Sequence, residues 1–218
     1  QKRLYGRVSF EKHFFGDDQF GYPMAGTLDD VKAVTLDKLK KYFLEVIATN
    51  HIEIMINGYV KDVTSKLKSS LEIFEKSKSY KLKYRQITDH RPQYIEEYLD
   101  MKQALFYIGY HLPIYRKDKL HDAAQCFNLM VGGYAESILF KEIREKDGLC
   151  YDIRSSYDPL KGTFTVTSGI DLNRREEAMN RFKTVFNHLT DYGFNEASLK
   201  LAKGYLIHQF KSSYDEQS

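Results

Sequence analysis

The sequence is short of the residues from which compact catalytic and metal-binding motifs are usually built. It has two cysteines, Cys126 and Cys150, and no tryptophan among 218 residues. Two cysteines 24 positions apart make neither a disulfide framework nor a zinc knuckle, which need more thiols at tighter spacing. They read as reduced packing residues of a cytoplasmic protein. The seven histidines are His13, His51, His90, His111, His121, His188 and His208. His111 and His121 are the nearest pair, so no H-x-x-E-H or H-x-x-x-H is present. A helix brings two imidazoles to one metal only at such short spacings. P-loop, G-x-G-x-x-G and G-x-S-x-G patterns are also missing. No apolar run approaches the roughly 18 residues that a membrane span needs. No signal peptide is evident, and a chain that opens on Gln1 is expected to be a piece of something longer.

What is present is the material of a soluble globular fold. Hydrophobic residues make up 42%, aromatic residues 14% and charged residues 29%, enough to bury a core without staples. The net charge is 33 − 30 = +3, with bases and acids interleaved, which gives no electrostatic case for nucleic acid. The expected partners are therefore neither nucleic acid nor membrane. The length fits one large domain or two small ones.

Residues 1–22 mix aromatics, charges and glycine without a clean period and read as a helix end followed by loop. Thr27 with Asp30 resembles a capping box. Thr35 opens an amphipathic helix through Leu36, Leu39, Phe43 and Ile47. Ile52, Ile54 and Ile56 alternate as a half-buried strand should, ended by Gly58. Val63, Leu67, Leu71 and Phe74 mark another helix. Residues 77–92 are basic, polar and poor in periodic hydrophobics, the expected linker.

The second half restarts with Gln103 to Tyr110, an apolar and aromatic run expected as a central strand. Leu120, Ala124, Phe127 and Val131 form a helix that stops at Gly132 and Gly133. A further helix spans Glu136 to Lys146, closed by Gly148. Two strands, Tyr151 to Tyr157 and Thr163 to Ile170, flank the Asp158–Gly162 turn. Met179, Phe182, Phe186 and Leu189 mark a helix ended by Gly193, and Asn195 caps a last helix that is still running near Ser218, as if cut. Hairpins and paired helices without regular alternation give an α+β class, with mixed or antiparallel sheets backed by helices.

The segment Phe127 to Tyr151, FNLMVGGYAESILFKEIREKDGLCY, carries a resemblance. Its paired glycine, Ser137, Leu139-Phe140 and Arg144-Glu-Lys-Asp-Gly-Leu-Cys-Tyr151 closely resemble the second-domain signature of the pitrilysin/insulinase-like zinc metallopeptidases, which include mitochondrial processing peptidase. Phe20-Gly-Tyr-Pro-Met-Ala-Gly-Thr27 with Val34-Thr35 and Leu39, Ile56-Asn-Gly58, and Gly193-Phe-Asn-Glu196 through Ala202-Lys203 resemble other pieces of that family in the same order.

The resemblance implies a metallopeptidase-like two-domain fragment: residues 1–76 as the C-terminal part of a first domain, 77–92 as linker, and 93–218 as a truncated second domain. It places the H-x-x-E-H segment upstream, so no catalytic or metal-binding residue is expected in this chain, although zinc is possible in the full-length parent. In catalytic relatives an arginine and a tyrosine seven residues apart approach the substrate backbone. Arg144 and Tyr151 match that pair, and a guanidinium and a phenol can both donate to carbonyl oxygens. The alternative for these residues is a surface ion pair of Arg144 with Glu145 or Asp147, and an ordinary strand aromatic. Gly132 and Gly133 read as a helix stop and close-packing site, Ser137 and Phe140 as a cap or packing pair, and Cys150 as buried. The implied role is the peptide-binding half of a substrate chamber. The second role is that of a non-catalytic partner or scaffold for a catalytic sister subunit, with a homo-oligomer also open.

Overall fold

The computed structural model describes residues 2–56, 58, 62–71 and 93–215. Packing divides the chain into two units, Pro23–Arg85 and Gln1–Tyr22 with Gln86–Ser218. The linker expected at 77–92 lies outside the described residues, as does Phe74. No described helix is long and apolar enough to cross a membrane.

In the unit Pro23–Arg85, local sequence signals set the helix starts. The capping box forms as expected: Asp30 N donates to Thr27 Oγ1 at 3.2 Å, and Thr27 N donates to Asp30 Oδ2 at 2.7 Å, opening α2 (Leu28–Lys32). Thr35 Oγ1 accepts from Lys38 N at 3.3 Å and opens α3 (Leu36–Thr49). Helix α4 covers Val63–Leu71. The expected half-buried strand is not formed. His51–Ile56 has no strand partner among the described residues, and Ile52, Ile54 and Ile56 stay 41%, 49% and 49% exposed. The alternating pattern supplies a sheet face, but the backbone groups need a neighbouring strand, and no described residue provides one.

The other unit is built on a three-stranded antiparallel sheet of β1 (Gln103–His111), β2 (Cys150–Asp158) and β3 (Thr163–Asp171), in the order β1-β3-β2. The first strand, expected at the centre, lies at an edge; the centre is β3. Phe164, Val166 and Ile170 of β3 are 2%, 1% and 0% exposed and form the middle of the core. Helix α5 (His121–Asn128) runs into a π-helical turn, Leu129–Gly133, and a second π-helical stretch covers Phe140–Lys146. Helix α6 (Arg175–Tyr192) contributes Ala178, Phe182 and Val185 to the same core and stops at Gly193, whose φ is +68°. Asn195 Oδ1 accepts from Ser198 N at 2.8 Å and opens α7 (Glu196–Asp215). These strands, helices and turns bear out the α+β reading.

The opposite face of the sheet is covered over β1 by α1 (Lys2–Phe15), a full helix where a helix end and loop were expected. Few of its positions are buried, so its sequence has no marked apolar stripe; it is held instead by close aromatic packing. Phe10 and Phe14 sit over Gly109, where a Cβ would lie 2.6 Å from the Phe14 ring, and Gly6 sits against Tyr107. Phe14 also stacks on His111 at 4.4 Å.

The paired glycine is a close-packing site, as expected. A Cβ on Gly132 would meet the backbone nitrogen of Ser155 in β2 at 2.8 Å, and one on Gly133 would meet Leu129 at 3.0 Å. Backbone cannot swing aside, so Gly132→Ala should lower stability by about 1–3 kcal/mol, read as a lower urea midpoint at unchanged slope. Gly204, inside α7, has nothing within 4 Å of its would-be Cβ. There, alanine should raise the midpoint, by up to about 1 kcal/mol, because only the helix preference changes.

Candidate functional site

Arg144 lies in the π-helical stretch Phe140–Lys146, with its guanidinium 4.4 Å from the centroid of the Phe140 ring. Among the described residues it makes no ion pair or hydrogen bond, so the pairing with Glu145 or Asp147 is not formed. Asp147 is taken by Arg181, Nε to Oδ2 at 2.5 Å, and Glu142 by Arg181 at 2.5 Å and Lys146 at 3.0 Å. Arg174 donates to the Gly148 carbonyl at 3.1 Å, and Leu149 N donates to Ile143 O at 3.0 Å. Gly148 turns the chain with φ +57°. The connection between Arg144 and β2 is thus pinned from α6 and its preceding turn, while Arg144 itself is left exposed. Its charge acts on the Cys150 thiol, which sets it near the start of β2.

Tyr151 is the extra residue of a β-bulge. Cys150 faces Ile170 of β3 and Asp152 faces Gly169, so two steps on β2 oppose one step on β3. The bulge resets the alternation. Cys150 and Ile153, three positions apart, both face the core at 9% and 6% exposure, while Tyr151 is turned out at 58%. Asp152 is fixed beside it by a bidentate pair: Arg3 Nη1 and Nη2 donate to Oδ2 and Oδ1, both at 2.8 Å. Gly169 makes room for this pair, since a Cβ there would stand 2.7 Å from Asp152 Oδ1. The Arg3 hydrogen bond holds the Asp152 carboxyl below the usual aspartate range, against partial burial that pushes it up.

Burial pushes the Cys150 thiol up, only partly offset by Ser168, so it stays protonated at neutral pH. Ser137 is 1% exposed and its hydroxyl has no hydrogen-bond partner among the described residues, so it packs rather than caps. No three histidine, cysteine, aspartate or glutamate side chains among the described residues could hold a metal ion together. The described residues therefore do not fit a zinc site.

Sequence reasoning did not single out Arg3, Asp152 or the bulge. The two members of the ion pair lie 149 positions apart and leave no local trace. The bulge does leave one: core residues at 150 and 153 are out of phase for an unbroken strand.

The chain matches the family described as Peptidase M16 inactive domain over residues 33–206. It belongs to that family, and the resemblance carried by Phe127 to Tyr151 is borne out. A "probable inactive metalloprotease" of Bacillus subtilis (strain 168) is 25% identical, the match covering 98% of this chain and 51% of that protein. An "uncharacterized zinc protease" of Streptomyces coelicolor is 26% identical over 90% of this chain and 45% of its own. A conserved protein from Enterococcus faecalis V583 superposes with a TM-score of 0.82 at 25% identity, covering 99% of this chain and 51% of that one. A peptidase M16 inactive domain from Pseudomonas fluorescens superposes with a TM-score of 0.77 at 18% identity, over 95% and 51% of the two chains, which shows the shared fold. The chain spans about half the length of the curated relatives it matches.

Because Asp152 has its folded pKa depressed from the ordinary 3.8, its pairing contributes stability above about pH 4 that is lost as pH falls through the folded value. Asp152→Asn should therefore destabilise the protein at neutral pH and flatten the acid limb of the stability–pH curve, measured by urea titration across that limb. For the thiols, iodoacetamide should modify the partly exposed Cys126 well before the buried Cys150, as read by peptide mass spectrometry.

Proposed function

We propose that this chain supplies the peptide-binding half of a substrate chamber in a cytoplasmic peptidase-family protein, with Arg144 and Tyr151 as the contacts to peptide backbone. The observation that carries the reading is the bulge: β2 spends one residue of register to turn Tyr151 outward instead of continuing its alternation. Arg144, on the preceding segment, has no carboxylate partner among the described residues and keeps its donors for a ligand. A phenol and a guanidinium at one end of a strand can donate to successive carbonyl oxygens of an extended peptide. Two unpaired cysteines suit a reducing compartment.

In this reading, hydrolysis in the parent protein depends on zinc and its ligands from a segment upstream of Gln1, and the chain alone binds peptide without cutting it. A second reading is favoured by the name of the Bacillus subtilis relative, a "probable inactive metalloprotease". In that case the parent is a partner or scaffold for a catalytic sister subunit, and the peptide contacts hold a substrate that another chain cleaves.

Fluorescence polarisation of a labelled unstructured peptide tests the contacts directly. Arg144→Ala and Tyr151→Phe should each weaken binding by roughly fivefold to tenfold, on the order of 1 kcal/mol, with unchanged circular dichroism. Wild-type affinity in both variants would sink the assignment. Metal analysis of the purified chain should find far less than one zinc per molecule; a stoichiometric zinc would overturn the separation of binding from hydrolysis.

A further inference from the structure

The exposed face of the sheet has a charge pattern that goes beyond backbone contacts. Strand register lines up Tyr107, Thr167 and Arg154 in one row across the three strands, Gly109, Thr165 and Ser156 in the next, and Leu105, Gly169 and Asp152 in the row on the other side. Helix α1 covers the β1 end of these rows through Gly6, Phe10 and Phe14. The β2 end is open: Arg154 and Ser156 are exposed, and Thr165 and Thr167 are half-buried between them and the helix. β2 pairs only with β3 among the described residues, so no described strand lies along its other edge.

Arginine dominates this surface. Arg154 spends one donor on Thr167 Oγ1, Nε to oxygen at 3.3 Å, and makes no ion pair among the described residues. Arg3, Arg7 and Arg154 all act on the Tyr107 hydroxyl, and the one carboxylate among them, Asp152, is held in the bidentate pair with Arg3. The carboxylates at the strand ends are occupied by turns: Asp158 accepts from Leu160 N at 2.9 Å and Asp171 from Asn173 N at 2.9 Å. Arg154 acts on Asp152 without forming an ion pair, and so presents its remaining donors one alternation beyond Tyr151 and the bulge, on the same face.

We propose that the edge of β2 away from β3 takes an extended peptide segment bearing carboxylates, with Arg154 as the residue that selects for them. This rests on the peptide-binding reading above and adds the class of peptide. A strand laid along an antiparallel edge has its side chains in the same alternation as its neighbour, with directly opposed side chains about 5 Å apart. An acidic residue opposite Arg154 meets the unused guanidinium donors, and a basic one meets like charge. Main-chain bonds to β2 supply the part of the binding that is independent of sequence.

The test uses the 218-residue chain and labelled peptides matched to the nine residues of β2. The peptides alternate threonine with glutamate, glutamine or lysine, and a fourth is the glutamate peptide N-methylated at alternate residues. The glutamate peptide should bind roughly fivefold tighter than the glutamine peptide and the lysine peptide weakest, with the order compressed by salt. N-methylation should abolish binding without any change to the protein. Arg154→Ala should bring the glutamate peptide to the affinity of the glutamine peptide, while Arg154→Lys keeps most of the difference. Equal affinity for glutamate and lysine peptides, still weakened by Arg144→Ala, would overturn the charge selection and leave the peptide reading standing. No binding of any peptide, or binding indifferent to both Arg144 and Tyr151, removes the peptide reading itself. Arg154-dependent binding of a single-stranded oligonucleotide at comparable affinity would show a general anion surface, and this too overturns the proposal.

Discussion

Burial of the inner face of β3 is the constraint on which the larger unit depends. Phe164, Val166 and Ile170 lie in line beneath the π-helical turns and α6, each removing about 1.5–3 kcal/mol worth of apolar side chain from water. A three-stranded sheet persists in water through the burial of its hydrophobic face, which the helices over β3 supply, while α1 covers the other face over β1. The helices press close enough on the inner face that Gly132 must lack a side chain against Ser155, and Ser155 in turn donates to the Asn128 carbonyl at 2.9 Å. On the outer face the same logic recurs with aromatic rings over Gly109. Both faces are thus committed over most of their area. Among the described residues, the part of the sheet left uncovered is the outer strip along β2 at Arg154 and Ser156.

The two π-helical stretches, Leu129–Gly133 and Phe140–Lys146, both pack against β2. A π turn spans one more residue per hydrogen bond than an α turn and is a rare backbone arrangement, so it persists where tertiary contacts repay it. For the first stretch the contact is the glycine approach to β2. For the second it is the Arg181 bridge to Glu142 and Asp147, which ties the end of the stretch to α6. Arg144 lies inside the second stretch, on a segment anchored through its neighbours, and its own guanidinium rests on Phe140.

Much of this fold was legible in the sequence because its signals are local. Thr27, Thr35 and Asn195 cap the helices they were expected to cap, Gly193 ends α6, and the turn after Asp158 closes on Gly162. What was not legible depends on distant partners. The edge position of β1 is decided by which strand lies between two others, and α1 is stabilised by a strand some hundred residues away. The run at 51–56 has a sound strand pattern and no described neighbour to pair with. Composition and spacing alone did not point to Arg144 and Tyr151; they were reached through the family resemblance. Arg3, Asp152 and Arg154 belong to no motif and enter only once the strands are in register.

The bulge at Tyr151 also makes chain length between Gly148 and Ile153 decide what the strand displays. A substitution at position 151 changes one outward side chain and leaves the core in phase. Loss of Tyr151 alone would leave Cys150 and Ile153 two positions apart, still on one face of an unbroken strand, so the core would stay in phase and the outward phenol would be lost. Descendants of this sequence are therefore free to vary what the strand displays at position 151, and a one-residue deletion there removes the display without disturbing the core.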